Sequence, residues 1–213
     1  MNRRSPVLVS APAIEPVSLS DVKLFLRIDG TDDDSLLTSL IVTARRLCEE
    51  YTKRAFITQT WKLTLDRFGR RDPDDCLPAG YSVGPTPGLV EGGQTIQLAR
   101  QPIQSITFIK TTDLSNTQTT VAGTTYTLDQ SGGRVLLNSG QSWPCDLRAE
   151  AAVEITTVNG YGDDGGDVPE PINQAIIQTV GSIYENRSCW DIPEGAKTLL
   201  APYMLPEAYG LGF

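Results

Sequence analysis

One helical stripe constrains the fold more than any other feature of the chain. Val168, Ile172, Ala175, Ile176, Thr179, Val180, Ile183 and Tyr184 recur three or four residues apart. A helix over this stretch therefore has one apolar face that must be buried. The run before it, GYGDDGGD at 160–167, is almost all glycine and aspartate and reads as a hinge feeding a helix start. Asp167 is placed to cap the first turn and Glu170 follows three residues later. Pro169 and Pro171 fall where a missing N–H costs little.

Helical spacing also governs the N-terminal part. Residues 1–17 read as extended, because Pro6, Pro12 and Pro16 block a helix. Ser18 then caps a short helix with Asp21 as the reciprocal acid. Leu19, Val22, Phe25 and Leu26 form its expected buried side, and a left-handed cap is expected near Asp29-Gly30. A second helix opens on Asp32, Asp33 and Asp34, which complement the positive helix end. Its apolar face is Leu36, Leu37, Leu40, Ile41, Ala44, Leu47, Cys48 and Tyr51. Arg45, Arg46, Lys53 and Arg54 crowd the later turns, as the helix dipole prefers. A last short helix starts at Pro193 and carries Ala196, Leu199 and Leu200 until Pro202 stops it.

From Ile57 the period changes to two. Thr60, Lys62, Thr64 and Asp66 face one way, and Trp61, Leu63, Leu65 and Arg67 the other, which predicts a half-buried strand. Further strands are expected with Ile96 and Leu98 on one side, and with Ile106 and Phe108 on one side. A weaker strand is expected at 119–121, then a hairpin of 126–128 and 135–137 around Gly132-Gly133, and a strand through Val153, Ile155 and Thr157. The fold class that follows is α+β: a bundle of about four helices with a small antiparallel β barrel or sandwich inserted. The expected divisions are an N-terminal arm and helical hairpin at 1–56, a β domain at 57–158, helices completing the bundle at 159–203, and a tail at 204–213.

Two stretches have no period. Residues 69–93 contain four prolines and six glycines. A loop of that length in a compact domain usually has a role, and Tyr81, Val83, Leu89 and Val90 are its candidate partner contacts. The tail, YMLPEAYGLGF at 203–213, is aromatic and apolar but too broken to form a core of its own. It is expected to dock on something through Tyr203, Met204, Leu205, Tyr209, Leu211 and Phe213.

Composition excludes more than it suggests. The chain has 213 residues, 18 basic and 26 acidic side chains, and a net charge of −8. That balance argues against gripping nucleic-acid phosphates. No apolar run approaches the ~18 residues of a membrane span, and the N-terminus does not read as a signal peptide. Histidine is absent, which removes the usual general base near neutral pH and the commonest zinc ligand. Cys48 belongs to a buried helix face and reads as a free thiol; Cys76, Cys145 and Cys189 form no C-x-x-C pair, and disulfides among them are possible but, with no secretory context, not expected. GYGDDGGD lacks the calcium-loop spacing and the lysine of a phosphate loop. Neither it nor Asp32-Asp33-Asp34 is expected to hold a metal, and Ser142 has no base to activate it. No catalytic residue and no cofactor is expected.

The segments PVSLSDVKLFLRIDGTDDDSLLTSLIVTARRLCEEYTKRAFITQTW, LTLDRF, IQLARQPIQSI, YTLDQSGGRVLLNSGQSWP, VEITTVNGYGDDGGDVPEPINQAIIQTVGSIYENR and LLAPY, in this order, resemble the head–tail connector proteins of tailed bacteriophages. These are also called adaptor or head-completion proteins and occur in gene transfer agents. The resemblance is to the subset with an inserted β domain. It implies a structural virion protein rather than an enzyme. It implies a ring, typically of twelve copies, at the head–tail junction, assembled in the bacterial host cytoplasm. Such a ring binds the portal protein, gives the tail or stopper protein a platform, and extends a channel that passes DNA without specific binding. No membrane is involved. The C-terminal tail would reach the portal, and the polar side of the long helix, with Asn173, Gln174, Gln178 and Glu185, would face a neighbouring subunit or the channel. The chain departs from the family pattern in its long 69–93 loop and in the Met204-Leu205 that follows LLAPY, where a basic residue often stands. A stopper or other tail-proximal ring protein is the nearest alternative. A ligand- or carbohydrate-binding β module with helical flanks is the alternative of another class.

Overall fold

A computed structural model describes residues 5–68, 95–186 and 190–205. The chain divides into two compact units. One comprises Gln59–Asn159 with the N-terminal strand, and the other comprises Pro12–Thr58 and Gly160–Leu205.

The helical unit contains α1 (Leu19–Leu26), α2 (Asp34–Thr52), α3 (Glu170–Asn186) and α4 (Glu194–Leu200). Its core is made by the two predicted stripes. Leu37, Leu40, Ile41, Ala44 and Cys48 of α2 meet Ile172, Ala175, Ile176, Val180 and Ile183 of α3, with Val22, Ala196 and Leu200 from the shorter helices. Ser18 and Asp21 form the expected capping box, the Asp21 N–H donating to Ser18 Oγ at 3.2 Å. Such a cap is worth about 1 kcal/mol.

Four local expectations are corrected. The left-handed residue ending α1 is Arg27, at φ 57°, rather than Gly30. Asp167 does not cap α3. It closes a 3-10 turn, Gly165–Asp167, in which its Oδ2 accepts from the Asp164 N–H at 3.1 Å. The glycine run is pinned rather than hinge-like at its start: the Tyr161 N–H donates to Phe56 O and the Thr58 N–H to Gly162 O, both at 3.0 Å. Arg45 is not a surface cation of the helix end. It is 2% exposed and ion-paired with Glu15 and Glu49.

The β unit holds two antiparallel sheets. The larger runs in the order β1 (Ser5–Ser10), β2 (Gln59–Leu65), β8 (Val153–Asn159), β4 (Ile103–Thr112), β5 (Gln118–Thr120). The smaller runs β3 (Thr95–Gln97), β7 (Arg134–Leu137), β6 (Tyr126–Asp129). Leu63, Leu65, Ile109, Val153 and Ile155 from the first sheet share one core with Ile96 and Val135 from the second. Among the described residues neither sheet closes on itself, so no closed barrel forms. Trp143 roofs this core, stacked on Phe68 with ring centroids 4.3 Å apart.

β1 was legible only as an extended arm, yet it pairs with β2 from Ser5 opposite Thr64 to Ser10 opposite Thr60. Along β4 the expectation that Ile106 and Phe108 share a face is overturned. Ile106 lies opposite Thr157 and Phe108 opposite Thr156, leaving Thr107 as an extra residue. That bulge moves the two side chains to opposite faces. Ile106 packs on the core, while Phe108 lies under the Lys110 ammonium, 4.3 Å from its ring centroid. Cys145 also departs from expectation: it is disulfide-bonded, its partner lying outside the described residues.

The β6–β7 turn is organised by one carboxylate. The Gly132 N–H and the Ser131 hydroxyl donate to Asp129 Oδ1, and Arg134 Nε donates to Oδ2. The Gly132 backbone bond, then Ser131 and Arg134, hold the carboxyl down at about 2. Its unfolded value is about 3.9. The stabilisation from this group is therefore present above pH ~4 and lost as the pH falls through about 2. Carboxyl NMR titration should place Asp129 near 2, and Ser131→Ala or Arg134→Ala should each move it back toward ~4.

Candidate functional site

Among the described residues of the helical unit, two features are candidate contact surfaces: the root of the C-terminal tail, and a groove between α1 and α3. At the root, Ala201–Tyr203 forms a 3-10 turn after α4, and Tyr203 packs against the helical core. Arg54 Nε donates to the Tyr203 carbonyl, and the Leu205 N–H donates to Thr52 O at 3.1 Å. The second bond satisfies one of the orphan carbonyls at the end of α2. Tyr203 and Leu205 are thus spent on anchoring the base of the tail, while Met204 is exposed. Tyr209, Leu211 and Phe213 lie outside the described residues, as do the loop residues Tyr81, Val83, Leu89 and Val90.

Of the polar positions expected on α3, Gln174 and Glu185 are exposed, while Asn173 and Gln178 are half-buried. Gln174 Nε2 donates to Glu170 Oε1 at 2.9 Å. Asn173 is not free. Its Nδ2 donates to Gly165 O at 3.1 Å, and its Oδ1 is buried without a partner among the described residues. Spacings of four and seven put Gln174, Gln178 and Glu185 along one line of the helix.

Asn173 and Gln174 also line the groove. It has a volume of about 430 Å³, with Pro16, Val17, Leu24 and Phe25 on one side and Ile177 on the other. Asp21 and Glu170 bring carboxylates to it. Leu24 is 81% and Phe25 50% exposed, although Phe25 belongs to the expected buried side of α1. The inner part of the Phe25 ring covers Gly181 of α3, where a Cβ would stand 3.0 Å from Phe25 Cε1. The exposed pair was missed, but a signal existed. In LSDVKLFL, Val22, Leu24, Phe25 and Leu26 span too wide an arc for one buried stripe.

Burial pushes the Cys48 thiol up to about 12, against the Thr179 hydroxyl beside it, which makes it an inert core thiol. Among the described residues no group of three or more acids or cysteines gathers as metal ligands would, and no helix is long and apolar enough to cross a membrane.

The described residues thus form an α+β chain with an anchored tail root and an apolar groove. The sequence model of the phage gp6-like head-tail connector protein family matches residues 16–127, and the chain belongs to this family. The family is one of structural virion components. Among solved structures, the chain is similar to one in the neck of an empty GTA particle computed with C6 symmetry. The TM-score is 0.72 at 18% identity, covering 95% of this chain and 96% of that one. It is similar to a chain in the virion of a native gene transfer agent particle, with TM-score 0.68 and 20% identity over 94% and 95% of the two chains. A chain in the neck of a native GTA particle computed with C12 symmetry gives 0.64 and 19% over 95% and 96%. At these identities the likeness is one of fold. No curated protein sequence matches the chain.

Proposed function

We propose that this connector is a head–tail adaptor of the virion, forming a closed ring that joins the portal to the tail or stopper protein and continues the DNA channel. The observation that carries the reading is the family match over 16–127, read with a fold shared end to end with neck proteins. The necks of those relatives were computed with C6 and C12 symmetry, and a ring of twelve identical copies satisfies both operators. The role is structural, not enzymatic. The net charge of −8 suits a channel wall that passes DNA without holding it. Particles would be put together in the host cytoplasm.

Within this reading the two open sheets over one core act as a small sandwich module, inserted at 57–158 into the helical bundle. Residues 204–213 are the portal-docking tail, led by Tyr209, Leu211 and Phe213 beyond the fixed root. Tyr81, Val83, Leu89 and Val90 are contacts for a partner, and the line of Gln174, Gln178 and Glu185 faces a neighbour or the channel. Deleting residues 206–213 should abolish co-sedimentation with the portal and leave the thermal melt unchanged, because the anchoring bond of Leu205 to Thr52 stays. Portal binding that survives the deletion would remove the tail from this role.

A further inference from the structure

We propose that Cys145 is bonded to Cys76, so that one redox-sensitive disulfide fastens the segment that follows β2 beside the aromatic roof of the β core.

The chain has four cysteines. Cys145 is disulfide-bonded. Cys48 is free and wholly buried in the helical core, beside the Thr179 hydroxyl. Cys76 and Cys189 are left as partners. Both lie outside the described residues, but the surroundings of Cys145 separate them.

Cys145 Sγ stands 3.3 Å from the Trp143 carbonyl. The Trp143 ring is stacked on Phe68, with ring centroids 4.3 Å apart and planes 8° from parallel, and both residues are buried. The stack therefore pins the chain at Phe68 beside a residue two positions from Cys145. Cys76 follows Phe68 by eight residues, at most about 29 Å of fully extended chain. A tether that short gives its far end an effective concentration on the order of millimolar around the anchor. Cys76 and Cys145 also belong to the same compact unit, Gln59–Asn159. Cys189 belongs to the helical unit, three residues beyond Asn186 at the end of α3.

Closing the bond takes a low-molecular-weight disulfide such as oxidised glutathione. One cysteine thiolate attacks it, expelling one glutathione thiolate and leaving a mixed disulfide. The second cysteine thiolate attacks the protein sulfur of that bond and expels the second glutathione. Each protein thiol gives up one proton and each glutathione thiolate takes one up. Two protein thiols are thus oxidised as one glutathione disulfide is reduced. A reducing cytosol keeps such a pair open, and an oxidising medium closes it.

The bond shortens the span between fixed points from residues 69–94, before Thr95 of β3, to residues 77–94. Tyr81, Val83, Leu89 and Val90 fall within the shorter span. Less chain is then left to order when a partner binds, which is how preorganisation raises affinity. That consequence rests on the partner-contact reading of these four residues; the bond itself does not.

The test uses the full-length chain, equilibrated with oxidised glutathione, alkylated in denaturant and digested with trypsin without reduction. The four cysteines fall on four different tryptic peptides, Cys76 on 72–100 and Cys145 on 135–148. Mass spectrometry should find these two peptides joined, with Cys48 and Cys189 on peptides linked to no other. Cys76→Ser should abolish the link without transferring it to Cys189. Dithiothreitol should lower the melting temperature of the oxidised wild type and leave that of Cys76→Ser unchanged. A Cys145–Cys189 link, a Cys145 left unlinked in the oxidised wild type, or an equal response of the two chains to dithiothreitol would overturn the proposal. Each of these results leaves the ring reading standing.

Discussion

Arg45→Ala should cost about 3–5 kcal/mol of stability, the range for removing one partner of a buried ion pair. The guanidinium is 2% exposed. Its Nε donates to Glu15 Oε2 at 2.6 Å and its Nη1 to Glu49 Oε2 at 2.7 Å. Burial pulls its pKa down, but the hydrogen bond to Glu15 and the charge of Glu49 outweigh that and hold it above its ordinary value. The group therefore stays charged at any working pH. Glu49 also accepts the Phe56 N–H through Oε1 at 2.9 Å. The network thus ties the segment before α1 to α2 and α2 to the chain leaving it. Alanine would leave Glu49 charged and buried. Arg45→Met with Glu49→Gln keeps the acceptor for Phe56, removes the stranded charge, and should lose less than the single change. Urea unfolding curves measure both. A loss below about 1 kcal/mol for Arg45→Ala would place the pair in the class of surface salt bridges.

Gly160→Ala should be the second large effect, about 3 kcal/mol or more. Gly160 has φ 134°, and a Cβ there would stand 2.5 Å from the Ile57 carbonyl carbon and 2.6 Å from Ile57 O and Thr58 N. All three are backbone atoms. They are held in place by the hydrogen bonds of Tyr161 to Phe56 and Thr58 to Gly162. Overpacking costs roughly 1–3 kcal/mol, and a strained backbone conformation adds about 1–3 more. The internal control is Gly166, in the same run, where an added Cβ meets nothing within 4 Å. Gly166→Ala should stay within about 1 kcal/mol. Equal denaturant midpoints for the two variants would contradict the packing described at Gly160.

These two residues also mark where sequence patterns stop being informative. The helices were legible because a 3.6-residue stripe is a local property: all eight stripe residues of 168–184 pack on the helical core. Strands β2, β3 and β8 were legible for the same reason at a period of two. Arg45 was misread because its partner Glu15 lies thirty residues away, and a cation late in a helix has an adequate local explanation. The Thr107 bulge was invisible because one inserted residue reverses the inside–outside pattern without a mark in composition. β1 was missed as a strand because its pairing is made with residues about fifty positions later. On the candidate surfaces, the apolar tail root could be read from its composition. The groove could not, since it depends on α1 and α3 coming together and on Phe25 being half out of the core.

A ring of this chain at the head–tail junction is directly visible to cryo-electron microscopy of the tailed particles that carry it. Density for this fold should repeat twelve times immediately below the portal, enclosing the channel axis. Particles whose neck is complete without this chain, or in which it occupies a site off the channel axis, would contradict it.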